Sequence, residues 1–181
     1  AELVRRKIPF HKYGGLKFVD AAHVKDLMAF LRMAENPRDS VAAMRVLPLL
    51  PGIGPKRAMD RLKVFQELGS LQAGLQAWRE WNPPPATGET WSEFVEMFSW
   101  LLEGDASTPE QVHRVRKFYT PILEERYDTH QSRSRDLEQL EEISSRYKNR
   151  GTLLTELALD PPSSTEDFAG PPHLDDDYLI L

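Results

Sequence analysis

A chain of 181 residues, 40% hydrophobic and 28% charged, can bury one domain-sized core. It holds no cysteine, which excludes disulfides, thiolate metal sites and a cysteine nucleophile; no apolar run is long enough to cross a bilayer, and the opening residues lack the apolar stretch of a signal peptide. The net charge of −5 is segregated: residues 1–63 hold 13 Lys/Arg against 6 Asp/Glu, 64–110 hold 1 against 8, 111–150 hold 9 against 7, and 151–181 hold none against 7.

Ile8 to Tyr13 reads as a short strand that ends in a turn at Gly14-Gly15. Asp20 is placed to cap a helix running to Asn36, with Val24, Leu27, Met28 and Leu31 on one face. Asn36-Pro37 ends that helix, and Asp39 is placed to cap a second one carrying Val41, Met44 and Leu47, which Pro48 cuts short.

Leu50 to Ala58 reads Leu-Pro-Gly-Ile-Gly-Pro-Lys-Arg-Ala and is the most informative run in the chain. Gly52 and Gly54 bracket Ile53, so the backbone can turn tightly and come close to a ligand. Pro55 suits the first turn of a helix, where its missing N–H is no loss. The free amides at that helix start, the positive end of its dipole, and Lys56 and Arg57 together form a candidate phosphate site. Arg61, one turn further on, is a candidate for the same phosphate run. Apolar residues on both sides (Val46, Leu47, Leu49, Leu50; Ala58, Met59, Leu62) would pack two helices and hold the turn. This is a helix-hairpin-helix pattern, suited to gripping a nucleic-acid backbone without reading bases. It lies in the basic third of the chain, where a local positive surface can act over a screening length. The competing reading is a Gly-Pro helix junction with two exposed cations.

Further on, Ser70 to Trp81 predicts a helix with Leu71, Leu75 and Trp78 on one face, and Asn82 to Gly88, with three consecutive prolines, a loop. Thr90 is placed to cap Trp91 to Glu103, whose Trp91, Phe94, Val95, Phe98 and Leu101 could stack bases but at helical spacing read as core. Thr108-Pro109-Glu110 starts a long helix with an expected kink at Pro121. Ser134 to Lys148 predicts another, with Leu137, Leu140 and Ile143 inward, and Leu153 to Leu159 a short last one. Asp160 to Asp177 reads as acidic loop and Tyr178 to Leu181 as a strand. The fold class is therefore mainly α: a helical, bundle-like body with a helix-hairpin-helix-like turn, framed by two short strands. Those strands must pair with each other or with a sheet outside the chain, and the second arrangement is expected.

Lys12 to Phe18, His23-Val24-Lys25-Asp26, Phe30-Leu31-Arg32, Asn36-Pro37-Arg38-Asp39 and Arg45 follow one another in an order and spacing that resembles the UvrD/PcrA/Rep family of superfamily 1 DNA helicases, at the inserted subdomain called 2B. Gly52-Ile53-Gly54 matches that family's duplex-contacting loop, Arg135 to Leu140 is similar to a later helix, and Tyr178 to Leu181 resembles the strand of return. The resemblance implies that residues 1–19 are a boundary strand and turn from the RecA-like domain 2A, 20–160 the helical 2B subdomain, and 161–181 an acidic loop and the strand back into 2A. It implies a parent that is an ATP-driven motor, moving 3′ to 5′ on single strands and unwinding duplex, with ATP and Mg bound elsewhere. It further implies duplex DNA at a single-strand/double-strand junction as partner, touched by Gly52, Ile53 and Gly54, to which the phosphate-site reading of the hairpin adds Pro55, Lys56, Arg57 and Arg61 as contact residues; it also implies the remaining helicase domains in cis, repair proteins as further partners, and a cytoplasmic, nucleoid-associated location.

The chain itself has no Gly-x-x-x-x-Gly-Lys-Ser/Thr loop for a triphosphate, and no cofactor or metal is expected on it. Asp175-Asp176-Asp177 precedes an apolar strand, whereas a metal-holding carboxylate of such a motor would follow one, so the triplet reads as solvated loop. An enzyme of the helix-hairpin-helix glycosylase type would need an aspartate a couple of dozen residues past the hairpin, yet no Asp lies between Asp60 and Asp105. A protein-interaction module using the acidic Glu67 to Glu110 face or the C-terminal tail is the other alternative, and it is compatible with DNA binding. His11, His23, His113, His130 and His173 lack metal-ligand spacing, and His23, in a helix of core periodicity, reads as a packed or partly exposed histidine. Lys12 and Lys17 read as solvated charges.

Overall fold

The computed structural model describes residues 10–11, 18–128, 130–159 and 179–180. The expectations for Lys12 to Lys17, for Asp160 to Asp177 with its aspartate triplet, and for His11 and His173 as side chains fall outside what is described.

Among the described residues there are eight α-helices: α1 (Ala22–Glu35), α2 (Ser40–Val46), α3 (Pro55–Glu67), α4 (Leu71–Glu80), α5 (Thr90–Glu103), α6 (Thr108–Arg126), α7 (His130–Ser144) and α8 (Arg150–Leu159). A short 3-10 turn, Phe18–Asp20, leads into α1. The chain is mainly helical, as its periodicity predicts. Two-residue strands, β1 (Phe10–His11) and β2 (Leu179–Ile180), pair in parallel, Phe10 with Leu179 and His11 with Ile180. Parallel neighbours need a crossover, and here the whole helical body is that crossover.

α1 is the axis of the body, packed against α2, α5, α6, α7 and α8. That position explains why Val24, Leu27, Ala29, Phe30, Leu31, Met33 and Ala34 are all buried: the apolar residues of this helix extend beyond one narrow stripe. Phe30 meets Phe94, Phe118 and Tyr119 at ring separations of 5.9–6.3 Å. A second aromatic group joins α3, α4 and α5, with Phe65 4.6 Å from Trp78 and Trp78 5.5 Å from Trp91. Each buried indole also finds a main-chain acceptor: Trp78 Nε1 donates to Arg61 O at 2.9 Å and Trp91 Nε1 to Trp78 O at 2.8 Å. Burial without those acceptors would leave two polar groups desolvated. The Trp91, Phe94, Val95, Phe98, Leu101 face is core, as its spacing predicts.

Several local expectations are corrected. Asp20 does not cap α1; the N-cap is Ala21, and Asp20 instead pairs with Lys25 at 3.0 Å. Thr90 is already the first residue of α5, after an N-cap at Glu89. Val41 is 71% exposed and Leu71 46% exposed, because Ala42, Ala43 and Val46 form the buried face of α2, and Leu75 and Trp78 that of α4. α7 begins at His130 and stops at Ser144, not Lys148, and Pro121 lies inside α6 with helix on both sides of it. Asp39 does cap α2, accepting from Ala42 N at 2.9 Å, and α2 does end before Pro48, in a 3-10 turn over Leu47–Leu49.

Candidate nucleic-acid interface

Between Leu49 and Pro55 the chain reverses. Leu50 N donates to Leu47 O at 3.2 Å, Ile53 N to Leu50 O at 3.1 Å, and Gly52 takes φ of 74°. A side chain at that φ is strained, so glycine is required there for its backbone. The space a Gly52 Cβ would take is also crowded, with Ala86 Cβ and Thr87 Oγ1 each 3.1 Å away. Gly54 differs in both respects. It sits at φ of −82° as the N-cap of α3, and nothing stands within 4 Å of the position of its absent Cβ.

Pro55 is the first residue of α3, and the first helical bond runs from Ala58 N to Gly54 O at 3.0 Å. The amides of Lys56 and Arg57 therefore lie ahead of the helical ladder, with no side-chain cap from Gly54 to take them. Gly54, Pro55, Lys56 and Arg57 are all exposed. Arg57 Nη1 donates to Gly52 O at 3.1 Å, a brace across the turn.

The turn is held from below by the core. Val46, Leu47, Leu50, Ala58 and Leu62 are buried, as the flanking apolar pattern predicts, whereas Met59 is exposed. Ile53 is 3% exposed and belongs to the core, so its side chain anchors the turn and cannot meet a ligand. Arg61 turns aside too: its guanidinium lies 4.8 Å from the Trp81 ring centroid. Of the residues predicted to contact DNA, the structure thus brings Gly52, Gly54, Pro55, Lys56 and Arg57 to one exposed edge, buries the Ile53 side chain beneath it, and engages Arg61 with an indole.

The sequence predicts the Asn82–Gly88 loop but not its contact with the hairpin. Pro84 and Pro85 set a 3-10 turn over Pro85–Thr87, with Thr87 N donating to Pro84 O at 2.9 Å. Three prolines in a row signal a stiff loop, but nothing in them reveals which turn it touches.

His23 is packed, as its place in α1 predicts. Its Nε2 is 2.8 Å from Asp136 Oδ2, and Arg133 Nη1 is 3.1 Å from its Nδ1. Among the described residues, no group of three or more His, Asp or Glu side chains is arranged to hold a metal.

Residues 1–74 match the sequence model of the family described as UvrD-like helicase C-terminal domain. Over that portion the chain is similar to UvrD-type superfamily 1 helicases. It is 47% identical over 53 residues to a probable DNA helicase II homolog of Mycoplasma capricolum subsp. capricolum, 29% of this chain and 7% of that protein. It is 39% identical over 62 residues to DNA helicase II of Haemophilus influenzae, 34% of this chain and 8% of that protein. With the ATP-dependent DNA helicase Rep of Buchnera aphidicola subsp. Baizongia pistaciae the figures are 32% over 83 residues, 41% of this chain and 12% of that protein. The chain spans only a small part of the length of these relatives.

Proposed function

We propose that this chain is the 2B subdomain of a UvrD-like, ATP-dependent, 3′ to 5′ DNA helicase, and that it holds duplex DNA near a single-strand/double-strand junction by its phosphate backbone. The observation that carries this reading is the open edge at Gly54: no Cβ there, nothing within 4 Å, two amides ahead of the ladder and two exposed cations beside them. Helix starts of this form suit phosphate oxygens and give no base selectivity. The parallel pairing of β1 with β2 supports an insertion, since a two-residue ladder is too short to stand alone and fits as the rim of a larger parallel sheet. That sheet would be the RecA-like domain 2A, with residues 1–19 leading out of it and 161–181 leading back.

In the whole protein, ATP and Mg would be held by the motor domains in cis, and this chain would place the duplex ahead of them. Its residues bind and orient; the chemistry of hydrolysis is supplied elsewhere, since the sequence has no triphosphate loop. Cytoplasmic, nucleoid-associated action with repair proteins as further partners fits that role.

The test is duplex binding of the full chain as a function of salt. Replacing Lys56 and Arg57 together by alanine is expected to lower the slope of log K against log[salt] by about 1.8, the loss of roughly two phosphate contacts at about 0.9 each, equally for unrelated sequences. An unchanged slope removes the hairpin from the interface.

A further inference from the structure

The triple-proline loop has no role in the function proposed above, yet it lies directly against the hairpin. Gly52 faces it across a gap in which a methyl group would be crowded: an added Cβ would stand 3.1 Å from Ala86 Cβ, 3.1 Å from Thr87 Oγ1 and 3.5 Å from Thr87 N, so the wall would have to yield by a few tenths of an ångström. Thr87 is 2% exposed, although it lies in a surface loop, and its Oγ1 is buried without a hydrogen-bond partner. A buried hydroxyl left unpaired is unfavourable, so what keeps the side chain there is the shape it fills.

The loop is stiff by construction. Pro84 and Pro85 fix two successive φ values, Thr87 N and Gly88 N donate to Pro84 O and Pro85 O at 2.9 and 3.1 Å, and Gly88 takes φ of 54° to release the chain into α5. Its two ends are tied to the core by Trp81 and Trp91, whose rings meet edge to face at 4.6 Å. A fixed wall thus meets the one residue of the hairpin that has left-handed backbone.

We propose that the Asn82–Gly88 loop is a strut that sets the position of the phosphate-binding turn, and that Thr87 is its positioning residue, acting through Gly52 on the amides of Lys56 and Arg57. Binding by main-chain amides depends on where they point, and a turn free to rock on its glycines would lose that direction. The strut supplies from outside the hairpin the rigidity that two glycines remove from it.

This inference rests on the hairpin reading for its DNA consequence, but not for its structural one, and the experiment separates the two. In the full chain, Ala86→Gly/Thr87→Ala opens the wall and Thr87→Val keeps its shape without the hydroxyl. Amide hydrogen exchange at Ile53 and Ala58, whose N–H groups donate to Leu50 O and Gly54 O, thermal melting and duplex affinity are measured for each. The opened wall is expected to speed exchange in the hairpin and to weaken duplex binding about tenfold, the factor that 1.4 kcal/mol sets, beyond any change in the melting curve. Thr87→Val is expected to match the parent in exchange and affinity. Exchange unchanged by the opened wall overturns the strut, even if the Lys56/Arg57 replacement still weakens binding. Exchange that speeds while neither set of variants alters duplex binding keeps the strut and removes the DNA reading instead. A Thr87→Val chain as impaired as the opened wall shows that the hydroxyl, not the shape, matters, and overturns the proposal as stated.

Discussion

Arg57 and Gly52 are joined across the hairpin by a hydrogen bond from Nη1 to the Gly52 carbonyl at 3.1 Å, which gives Arg57 two tasks that Lys56 does not share. It adds charge to the phosphate edge, and it closes the turn. Lys56→Ala is therefore expected to lower the salt slope by about 0.9 and leave hairpin exchange alone. Arg57→Ala should lower the slope by a similar amount and also speed amide exchange at Ile53, whose N–H donates to Leu50 O inside the braced turn. Equal exchange in the two variants would show the brace to be idle in solution.

The two glycines of the turn serve different needs, and alanine at each should expose the difference. Gly52→Ala meets both a φ of 74° and the wall at 3.1 Å, so a stability loss of about 1–2 kcal/mol in urea titration is expected. Gly54→Ala meets neither, and only the poorer N-cap preference of alanine counts against it, a loss of less than about 1 kcal/mol. Its duplex affinity should nevertheless fall, because the new methyl group occupies the space left for the phosphate. Gly54→Ala binding DNA as well as the parent would show that close backbone approach at this edge is not needed.

What the sequence makes legible here is what neighbours in sequence decide. Asp39 three residues before Ala42, Ser70 three before Ala73 and Pro55 after Gly54 announce helix starts, and the structure forms all three. The Trp91 to Leu101 stripe announces a buried face, and the turn from Leu50 to Arg57 is visible in its Gly and Pro spacing. What stays hidden is pairing at a distance. Nothing near Thr87 says that it lies against Gly52, nothing near Arg61 says that it will lie over Trp81, and Ile53 looks available between two glycines until the core beneath claims it. Val41 and Leu71 mislead for a related reason, since a helix of seven or ten residues can turn either of two partly apolar faces inward, and its packing partners choose.

Arg150 shows how such distant pairing holds the body together. Its guanidinium donates to Glu35 Oε2 at 2.9 Å, Gln111 Oε1 at 2.8 Å, Leu101 O at 3.0 Å and Ala34 O at 3.1 Å. Two of these acceptors, Ala34 O and Leu101 O, lie in the last turns of α1 and α5, among the carbonyls left without a helical amide, so one cation serves two helix ends. Arg150→Ala is expected to cost roughly 2–3 kcal/mol, since the carbonyls and Gln111 lose their donor. Arg150→Lys should recover only part of it, as an ammonium cannot reproduce the planar fork. The urea midpoints of the two variants check both statements; a lysine that restores full stability would reduce the clasp to a charge effect.

His23 gives the pH dependence. Burial pushes its imidazole below the usual histidine range; Asp136, at 2.8 Å, opposes that shift without reversing it, Arg133 reinforces it, and Asp26 opposes it weakly. With Arg133 donating to Nδ1 at 3.1 Å, the ring is neutral and its Nε2 donates to Asp136. A proton on Nδ1 would face the guanidinium and break the bond that Arg133 Nη1 donates to it, leaving two cations in contact between α1 and α7 while Nε2 still donates to Asp136. Because the folded state holds this proton less tightly than the unfolded chain, stability from this group is complete above pH 6.5, the ordinary value, and is lost as pH falls below it toward the lowered folded value. The carboxylates of Asp39 and Glu110, held below their ordinary values of 3.8 and 4.5, give up their contribution only in more acid solution, so among the described groups with a shifted titration the window just below pH 6.5 belongs to His23. The expected result is a urea midpoint that drops between about pH 6.5 and 5 in the parent and stays level in His23→Gln, whose amide can donate to Asp136 but does not titrate. A midpoint that rises on acidification across that interval, or the same drop in the glutamine variant, would mean that the neutral ring is not what joins the two helices.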